Sequence, residues 1–449
     1  MTTLPMKNFS PNSFWLDAEK ESFATLPPLS GSKRFDIVII GAGFTGLSAA
    51  IELRKAGHSV AVVEADRVGF GASGRNCGQV AIDLGANPIW TLKMHGREKS
   101  QRLANVLGRA INNVQTNIDL SGKDCDYVAN GNIMAGVHES HIDKLQIFSE
   151  FYNSVGLKTE MLDQNALQRR GIPKSIVCGF HEKLGGTLNP VKYARSLLDI
   201  ALIEGVEVFE KSPVTEIKSG NLVTVTCDTG SIQAEKCVLA TNAYSGELGK
   251  LKHTVVPLSV SALVTNPLTE EQRSRIGWGG QEGMHTSHRV IENLRLTPDG
   301  RILVGTKRAR LGYGTHHPKA DDPKIFNELA QVLRDRFPEI PDVDIDTGWT
   351  GRVAISADFI PAFGNMSRKN NIYYAAGYGG HGIAMASYSG KVISDLICDR
   401  DLGDAGVLVN RKKLPLPPEP FRWAVIQSML SSMGLADKKV DRAARKRND

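Results

Sequence analysis

Asp36-Ile-Val-Ile-Ile-Gly41-Ala-Gly43-Phe44-Thr45-Gly46-Leu-Ser-Ala-Ala is the stretch that decides the fold of this chain. Residues 35–40 form a short apolar run with β-branched residues, as expected of a buried parallel strand. Gly41-x-Gly43-x-x-Gly46 follows at once, and Leu47 to Lys55 reads as a helix ending near Gly57. A second apolar run, Val60 to Val63, leads to Glu64 and Ala65. Gly41 suits a tight turn, Gly43 admits a phosphate close to the backbone, and Gly46 lets the helix approach the strand. The helix N-terminus offers unpaired N–H groups to a pyrophosphate. Glu64 stands where an acid accepts hydrogen bonds from ribose hydroxyls, and its charge disfavours a 2′-phosphate. The order strand, glycines, helix, strand, acid predicts a dinucleotide site.

A second glycine-rich segment lies far along the chain, in Tyr373-Tyr-Ala-Ala-Gly377-Tyr378-Gly379-Gly380-His381-Gly382. It follows an apolar strand at 372–376 and opens a helix over Ala384 to Leu396. Such a return suits a flavin dinucleotide, whose ring needs donors where negative charge develops on reduction. Between the two lie Gly71-Ala72-Ser73-Gly74-Arg75-Asn76-Cys77-Gly78-Gln79 and Lys236-Cys-Val-Leu-Ala240-Thr241-Asn242-Ala-Tyr244. The first is small enough to run along a cofactor, with Ser73, Arg75 and Asn76 as donors. The second is a strand ending in small polar residues.

At these residues the chain resembles the D-amino-acid oxidase-like FAD amine oxidoreductases, nearest to the γ-glutamylputrescine oxidase branch. The likeness continues in Gly186-Thr-Leu-Asn-Pro190-Val-Lys-Tyr193, Arg295 to Leu303 and Trp349-Thr-Gly351, and runs from about residue 14 to about residue 400. It implies an α/β fold, with a doubly wound FAD domain and a mixed-sheet substrate domain. The expected division gives 33–90, 186–250 and 345–402 to the FAD domain and 91–185 and 251–344 to the substrate domain. Residues 1–32 are an extension, and 414–449 a proline-rich joint, an amphipathic helix and a basic tail. Residues 253–266 and 288–305 read as antiparallel strands, with Thr297-Pro-Asp-Gly300 as a hairpin turn.

The expected cofactor contacts are Gly41, Gly43, Phe44, Thr45, Gly46, Glu64, Ala65, Ala72, Ser73, Arg75, Asn76, Gly78, Gln79, Val214, Ala240, Thr241, Gly351, Gly377, Gly379, Gly380, His381 and Gly382. Arg352, Tyr378, His381 and His288 are the expected catalytic residues; Gln79, His285, Asn293 and Arg295 are further candidates for the substrate face. A polar loop would equally explain His285 and His288, and an exposed strand position would explain Arg295. His381 reads as a cofactor contact before a proton-transfer group. The histidines and cysteines lack metal-ligand spacing, so no metal is expected.

The resemblance also implies what to look for in flavin attachment. Relatives carry a linking cysteine near Arg301–Gly305, or a linking histidine near Gly71–Gly78; neither stands here, so FAD is expected to be non-covalent. Cys77 reads as a space-filler. The carboxylate-holding lysine of sarcosine-oxidase relatives is replaced by Ala384, and their oxygen-activating lysine by Leu303. The implied reaction is hydride transfer from the carbon bearing a neutral amine to flavin N5, giving an imine. The substrate is an amine or amino acid, and oxygen or a quinone is the acceptor.

The chain has 449 residues, 41% hydrophobic and 23% charged, enough for two domains with substantial cores. Its six cysteines lack paired spacing, no apolar leader opens the chain, and no run is long enough to span a membrane. A cytoplasmic protein is expected, peripheral to the inner membrane face if its tail binds lipid. The net charge of +6 comes partly from Lys438, Lys439, Arg442, Arg445, Lys446 and Arg447, with no nucleic-acid-reading module beside them. Phe421 to Met433 reads as a helix with Phe421, Val425, Ile426, Met429, Leu430 and Met433 on one face. That face either docks on its own protein, lies on a membrane surface, or meets a protein partner. The last two leave room for a rival reading, a membrane-associated protein that keeps FAD as a structural element.

Overall fold

In a computed structural model of the chain, residues 8–20, 24–82, 87–313, 316–366, 371–412 and 416–448 are described. Leu414 and Pro415 of the proline-rich joint lie outside them, as does the side chain of Arg447. The opening motif folds as expected. Strand Gly31–Ile40 runs parallel to Val60–Val63 on one side and to Gly230–Leu239 on the other. Glu207–Phe209 and Ile372–Ala376 extend the same parallel set outward. Ile37, Val38, Ile39, Val62 and Val238 are buried on this sheet, so its strands are apolar on both faces. A hairpin, Val214–Ser219 with Val223–Cys227, and strand Ala362–Asn365 complete eight strands.

Helices Phe44–Lys55, Pro190–Ile203 and Gly382–Ile397 share one apolar core with this sheet. Gly390 makes their closest approach, for a Cβ there would lie 2.2 Å from the Ser48 carbonyl carbon. The helix at 190 starts where sequence dictates. Asn189 caps it by accepting from the Val191 and Lys192 amides, and Pro190 occupies the first turn, where a missing N–H costs nothing.

The second sheet has ten strands among the described residues and a separate core. Its centre is antiparallel: Ile345–Ile355, Val256–Thr265, Ile302–Thr306, Glu292–Leu296 and Gly283–Thr286 in spatial order. The expected hairpin is present, with Gly300 at φ +79° and the Thr297 amide bonded to the Arg301 carbonyl. One boundary differs from expectation. Strand Ile345–Ile355 belongs to this second sheet, because it pairs along its length with Val256–Thr265, while 362–376 stays with the nucleotide sheet. The extension at 1–32 is also structured in part: Asn8–Phe9 pairs with Ile345–Ile355, and helix Phe14–Ala18 buries Trp15 and Leu16.

The C-terminal helix spans Phe421–Asn448 and docks on the protein itself. Its expected apolar face divides. Ile426 is buried and Leu430 packs beside it, whereas Phe421, Val425 and Met429 stay exposed. Docking is carried further along by Asp437, Asp441 and Ala444, all buried. Among the described residues no helix is long and apolar enough to cross a membrane.

Candidate active site

Three loops separated widely in sequence meet at the carboxyl ends of the parallel strands, the position open α/β sheets use for ligands. In the first loop Gly41 has φ +102°, and a Cβ on Gly46 would sit 1.9 Å from the Gly41 carbonyl oxygen. Helix Phe44–Lys55 therefore starts against the strand end, and its N-cap, Gly43, has no side chain to cover the first turn. Glu64 closes the loop by accepting from the Ala42 amide at 2.8 Å and the Asp66 amide at 3.1 Å. Burial raises its pKa, while those two amides act the other way. Ala65 is exposed beside it. The Ser212 amide bonds to the Glu64 carbonyl, which brings Val214 to the same end of the sheet.

The second loop, 71–79, lies across the first, with Ser73 Oγ accepting from the Phe44 amide at 3.1 Å. Two side chains expected as cofactor donors are engaged within the protein. The first is Arg75. Its guanidinium stacks on Phe70 and donates to the carbonyls of Phe70, Pro11 and Asn12. Asn76 likewise folds its amide inward, donating to the Ala72 and Ser73 carbonyls and accepting from the Gly78 amide. Both shape the loop. Gln79 donates to the carbonyls of Met284 and Leu294 and ties the loop to the second sheet. Cys77 turns its thiol beneath Gly305, and burial pushes the thiol up to about 12.

The third loop is tied to the first two. Asn242 Oδ1 accepts from the Gly377 amide at 3.0 Å, just past Ala240 and Thr241. Tyr378 is buried, with its hydroxyl on Thr45 Oγ1 at 2.8 Å and Ser389 Oγ at 2.9 Å. Burial pushes this phenol up to about 12, so it remains protonated. Gly379 and Gly380 take positive φ, and His381 is the N-cap residue of helix Gly382–Ile397. Gly351 faces Arg75 closely, where a Cβ would lie 3.1 Å from the Arg75 Cβ.

His381 faces His285, a candidate for the substrate face, and with it Glu182, which the sequence analysis did not single out. The His285 ring centroid lies 6.4 Å from that of His381, and His285 Nε2 lies 3.0 Å from Glu182 Oε1. His285 and Glu182 are both wholly buried, although the fold brings Glu182 from a distant strand. Arg352 instead lies at the rim, stacked on Tyr244 at 5.1 Å and paired with Glu247. Arg295 is wholly buried, contrary to an exposed strand position; it donates to the carbonyls of Cys77 and Leu188. Asn293 donates to Thr306 Oγ1.

His288 is not in this group. Its ring sits between Thr286 Oγ1 at 2.7 Å and Asp441 Oδ1 at 3.2 Å, under the C-terminal helix. His288, Glu292 and Asp441 lie close enough to resemble a metal set. Lys307 and Arg336 already donate to both carboxylates, so the cluster balances its charge internally.

Glycine cradle, half-buried carboxylate and a helix that starts on a glycine together define a dinucleotide-binding site. The chain belongs to the FAD dependent oxidoreductase (DAO) family, whose pattern matches residues 36–396. It is 29% identical to the γ-glutamylputrescine oxidoreductase of Escherichia coli, over 91% of this chain and 93% of that protein. It is 28% identical to a probable oxidoreductase, OrdL, of Haemophilus influenzae, over 94% of this chain and 95% of that one. In structure it is similar to glycine oxidase from Geobacillus kaustophilus, with a TM-score of 0.71 at 19% identity, covering 85% of this chain and 100% of that one. L-proline dehydrogenase from P. horikoshii gives a TM-score of 0.67 at 22% identity over 83% of this chain and 94% of that one. The chain is thus an FAD-dependent oxidoreductase related to amine and amino-acid oxidases. The residues fit that cofactor: the Gly41–Gly46 cradle leaves no room for a Cβ at Gly46, and the Glu64 carboxylate stands just past strand Val60–Val63, bonded to the cradle at the Ala42 amide.

Proposed function

We propose that this protein oxidises the C–N bond of a small amine or amino acid, with FAD held non-covalently. The observation that carries the reading is the meeting of the three loops beside the Glu182–His285–His381 group. FAD, when bound, accepts the hydride from the carbon bearing the amine. The chain's task is then to hold the cofactor, present the amine in its neutral form and exclude water. A buried carboxylate beside a histidine suits an amine that arrives as a cation and must lose its proton. Non-covalent attachment is supported by Cys77, whose thiol points away into the second sheet and stays protonated.

The strand Ile302–Thr306 brings no lysine to the site. Lys307, the next residue, is committed to Glu292 at 2.6 Å and Asp441 at 2.6 Å. This favours an acceptor besides oxygen, such as a quinone. The rival reading, a membrane-associated protein with the C-terminal helix as its working part, requires that helix to be free; here Asp437, Asp441 and Ala444 bury it against the protein. The test is the visible spectrum of the FAD-loaded protein, followed anaerobically as amines and amino acids are added. Bleaching by one compound class supports the reading, and readmitting oxygen or a soluble quinone compares the acceptors. A flavin band that no amine or amino acid bleaches would overturn it.

A further inference from the structure

Four consecutive backbone carbonyls of the second loop are each taken by a side chain from behind. Gly74 accepts from Ser13 Oγ at 2.6 Å and Arg75 from Trp349 Nε1 at 2.9 Å. Asn76 accepts from Trp15 Nε1 at 2.9 Å and Cys77 from Arg295 Nη1 at 3.2 Å. In a trans peptide the N–H points opposite to the C=O, so pinning these carbonyls aims the following amides the other way. The two outer amides are used within the loop: Arg75 N–H bonds to the Ala72 carbonyl and Gly78 N–H to Asn76 Oδ1. The two inner amides, of Asn76 and Cys77, have no hydrogen-bond partner among the described residues. They are fixed by the two indoles, Trp349 behind the first and Trp15 behind the second.

We propose that Trp15 and Trp349 are positioning residues that hold the Asn76 and Cys77 amides as a donor pair for the electron-rich edge of the flavin ring. The inference rests on FAD occupying the site. Trp15 belongs to the N-terminal extension, before the residues of the family match at 36–396, so the extension is part of the cofactor site. Its indole is 3% exposed and also covers the Arg295 guanidinium at 5.1 Å. Arg295 forms no ion pair among the described residues and leaves Nε and Nη2 without partners. A buried cation thus stands behind the same loop, where it adds to the pull of the amides on negative charge.

The test compares Trp15→Phe with Ser13→Ala in FAD-loaded protein. Two readouts are independent of turnover: the FAD dissociation constant, and the affinity for sulfite, which adds to the flavin ring and leaves negative charge on it. Trp15→Phe keeps an aromatic ring in the same place and loses the N–H. It is expected to weaken sulfite binding about tenfold, the scale of one lost hydrogen bond, and to weaken FAD binding severalfold. Ser13→Ala frees the Gly74 carbonyl, whose peptide N–H is already bonded, and removes the cap at the Leu16 amide, while the Trp15 N–H bond is kept. It is expected to lower the melting temperature and leave sulfite affinity unchanged. Trp349→Phe, read in the same way, supplies the second variant if Trp15→Phe does not fold. Unchanged sulfite and FAD affinity in folded Trp15→Phe or Trp349→Phe overturns the proposal, as does a Ser13→Ala effect as large as that of Trp15→Phe. A wild-type protein that takes up no FAD overturns the flavin reading itself, and this inference with it.

Discussion

Thr45 Oγ1 and Tyr378 Oη lie 2.8 Å apart, and this single hydrogen bond joins the first turn of the nucleotide-binding helix to the last glycine loop. Ser389 Oγ, on the helix that follows that loop, holds the same phenol from its other side at 2.9 Å. Two ends of one cofactor site are therefore fastened by a side chain and not only by the sheet beneath them.

Tyr378→Phe tests whether this phenol fastens or reacts. Burial keeps it protonated to about 12, so it does not exchange a proton with an amine near neutral pH. The variant leaves two buried hydroxyls short of a partner, a cost of about 1–3 kcal/mol. Urea unfolding should show that loss, FAD should bind more weakly, and the pH profile of flavin bleaching should keep its wild-type shape. A change in that profile with stability intact would return Tyr378 to the catalytic group.

Gly46→Ala should abolish flavin binding. The added Cβ would meet the Gly41 carbonyl oxygen at 1.9 Å, and neither backbone has a flexible end that can yield. Separating helix from strand also spoils the loop that Glu64 closes. The expected product is a colourless protein that recovers no flavin band when FAD is added. Normal uptake would show that the helix start can move.

Glu182 and His285 form a pair shut away from solvent, and removing the carboxylate takes a partner from both His285 and the Ile82 amide. Glu182→Ala should therefore destabilise the fold by about 1–3 kcal/mol, the scale of a buried polar group left without its acceptor. Glu182→Gln keeps the shape and the Ile82 amide bond and should fold better. Its informative readout is the pH dependence of anaerobic bleaching. If the pair serves the arriving amine through His381, that dependence should move to higher pH in Glu182→Gln. An unmoved profile would make the pair purely structural.

What could be read from sequence was what is local. The Gly41–Gly46 motif, the cap and proline at Asn189-Pro190, and the Thr297–Gly300 turn each contain their own physical cause within a few residues. The rest depends on partners the chain supplies from far away. Trp15 looks like one aromatic in an N-terminal extension until the Asn76 carbonyl arrives. Arg75 reads as a cofactor donor because nothing nearby in sequence shows Pro11 and Asn12 joining Phe70 around its guanidinium. His288 reads as a catalytic candidate or a polar loop because Asp441, which claims it, stands at the far end of the chain.

That last contact gives the protein a pH signature. Burial alone would raise the carboxyl of Glu292, but Arg336, His288 and Lys307 outweigh it and hold the group at about 2. Asp441 is lowered in the same way, its burial outweighed by the His288 hydrogen bond and by Lys307 and Arg336. A carboxylate whose folded pKa is depressed stabilises the fold above its unfolded pKa. The contribution is lost as pH falls through the folded value. Stability should thus hold down to about pH 5 and decline progressively towards pH 2 as these carboxylates take up protons. Asp441→Asn removes one of the two anions that balance Lys307 and Arg336. It should cost on the order of 3 kcal/mol at neutral pH and flatten the acid limb of the stability curve, measured by urea unfolding from pH 7 to pH 3. Because His288, Glu292 and Asp441 stand apart from the three loops, the variant should keep its flavin spectrum. An acid limb as steep as that of the wild type would show that the C-terminal helix is held mainly by Ile426 and Ala444.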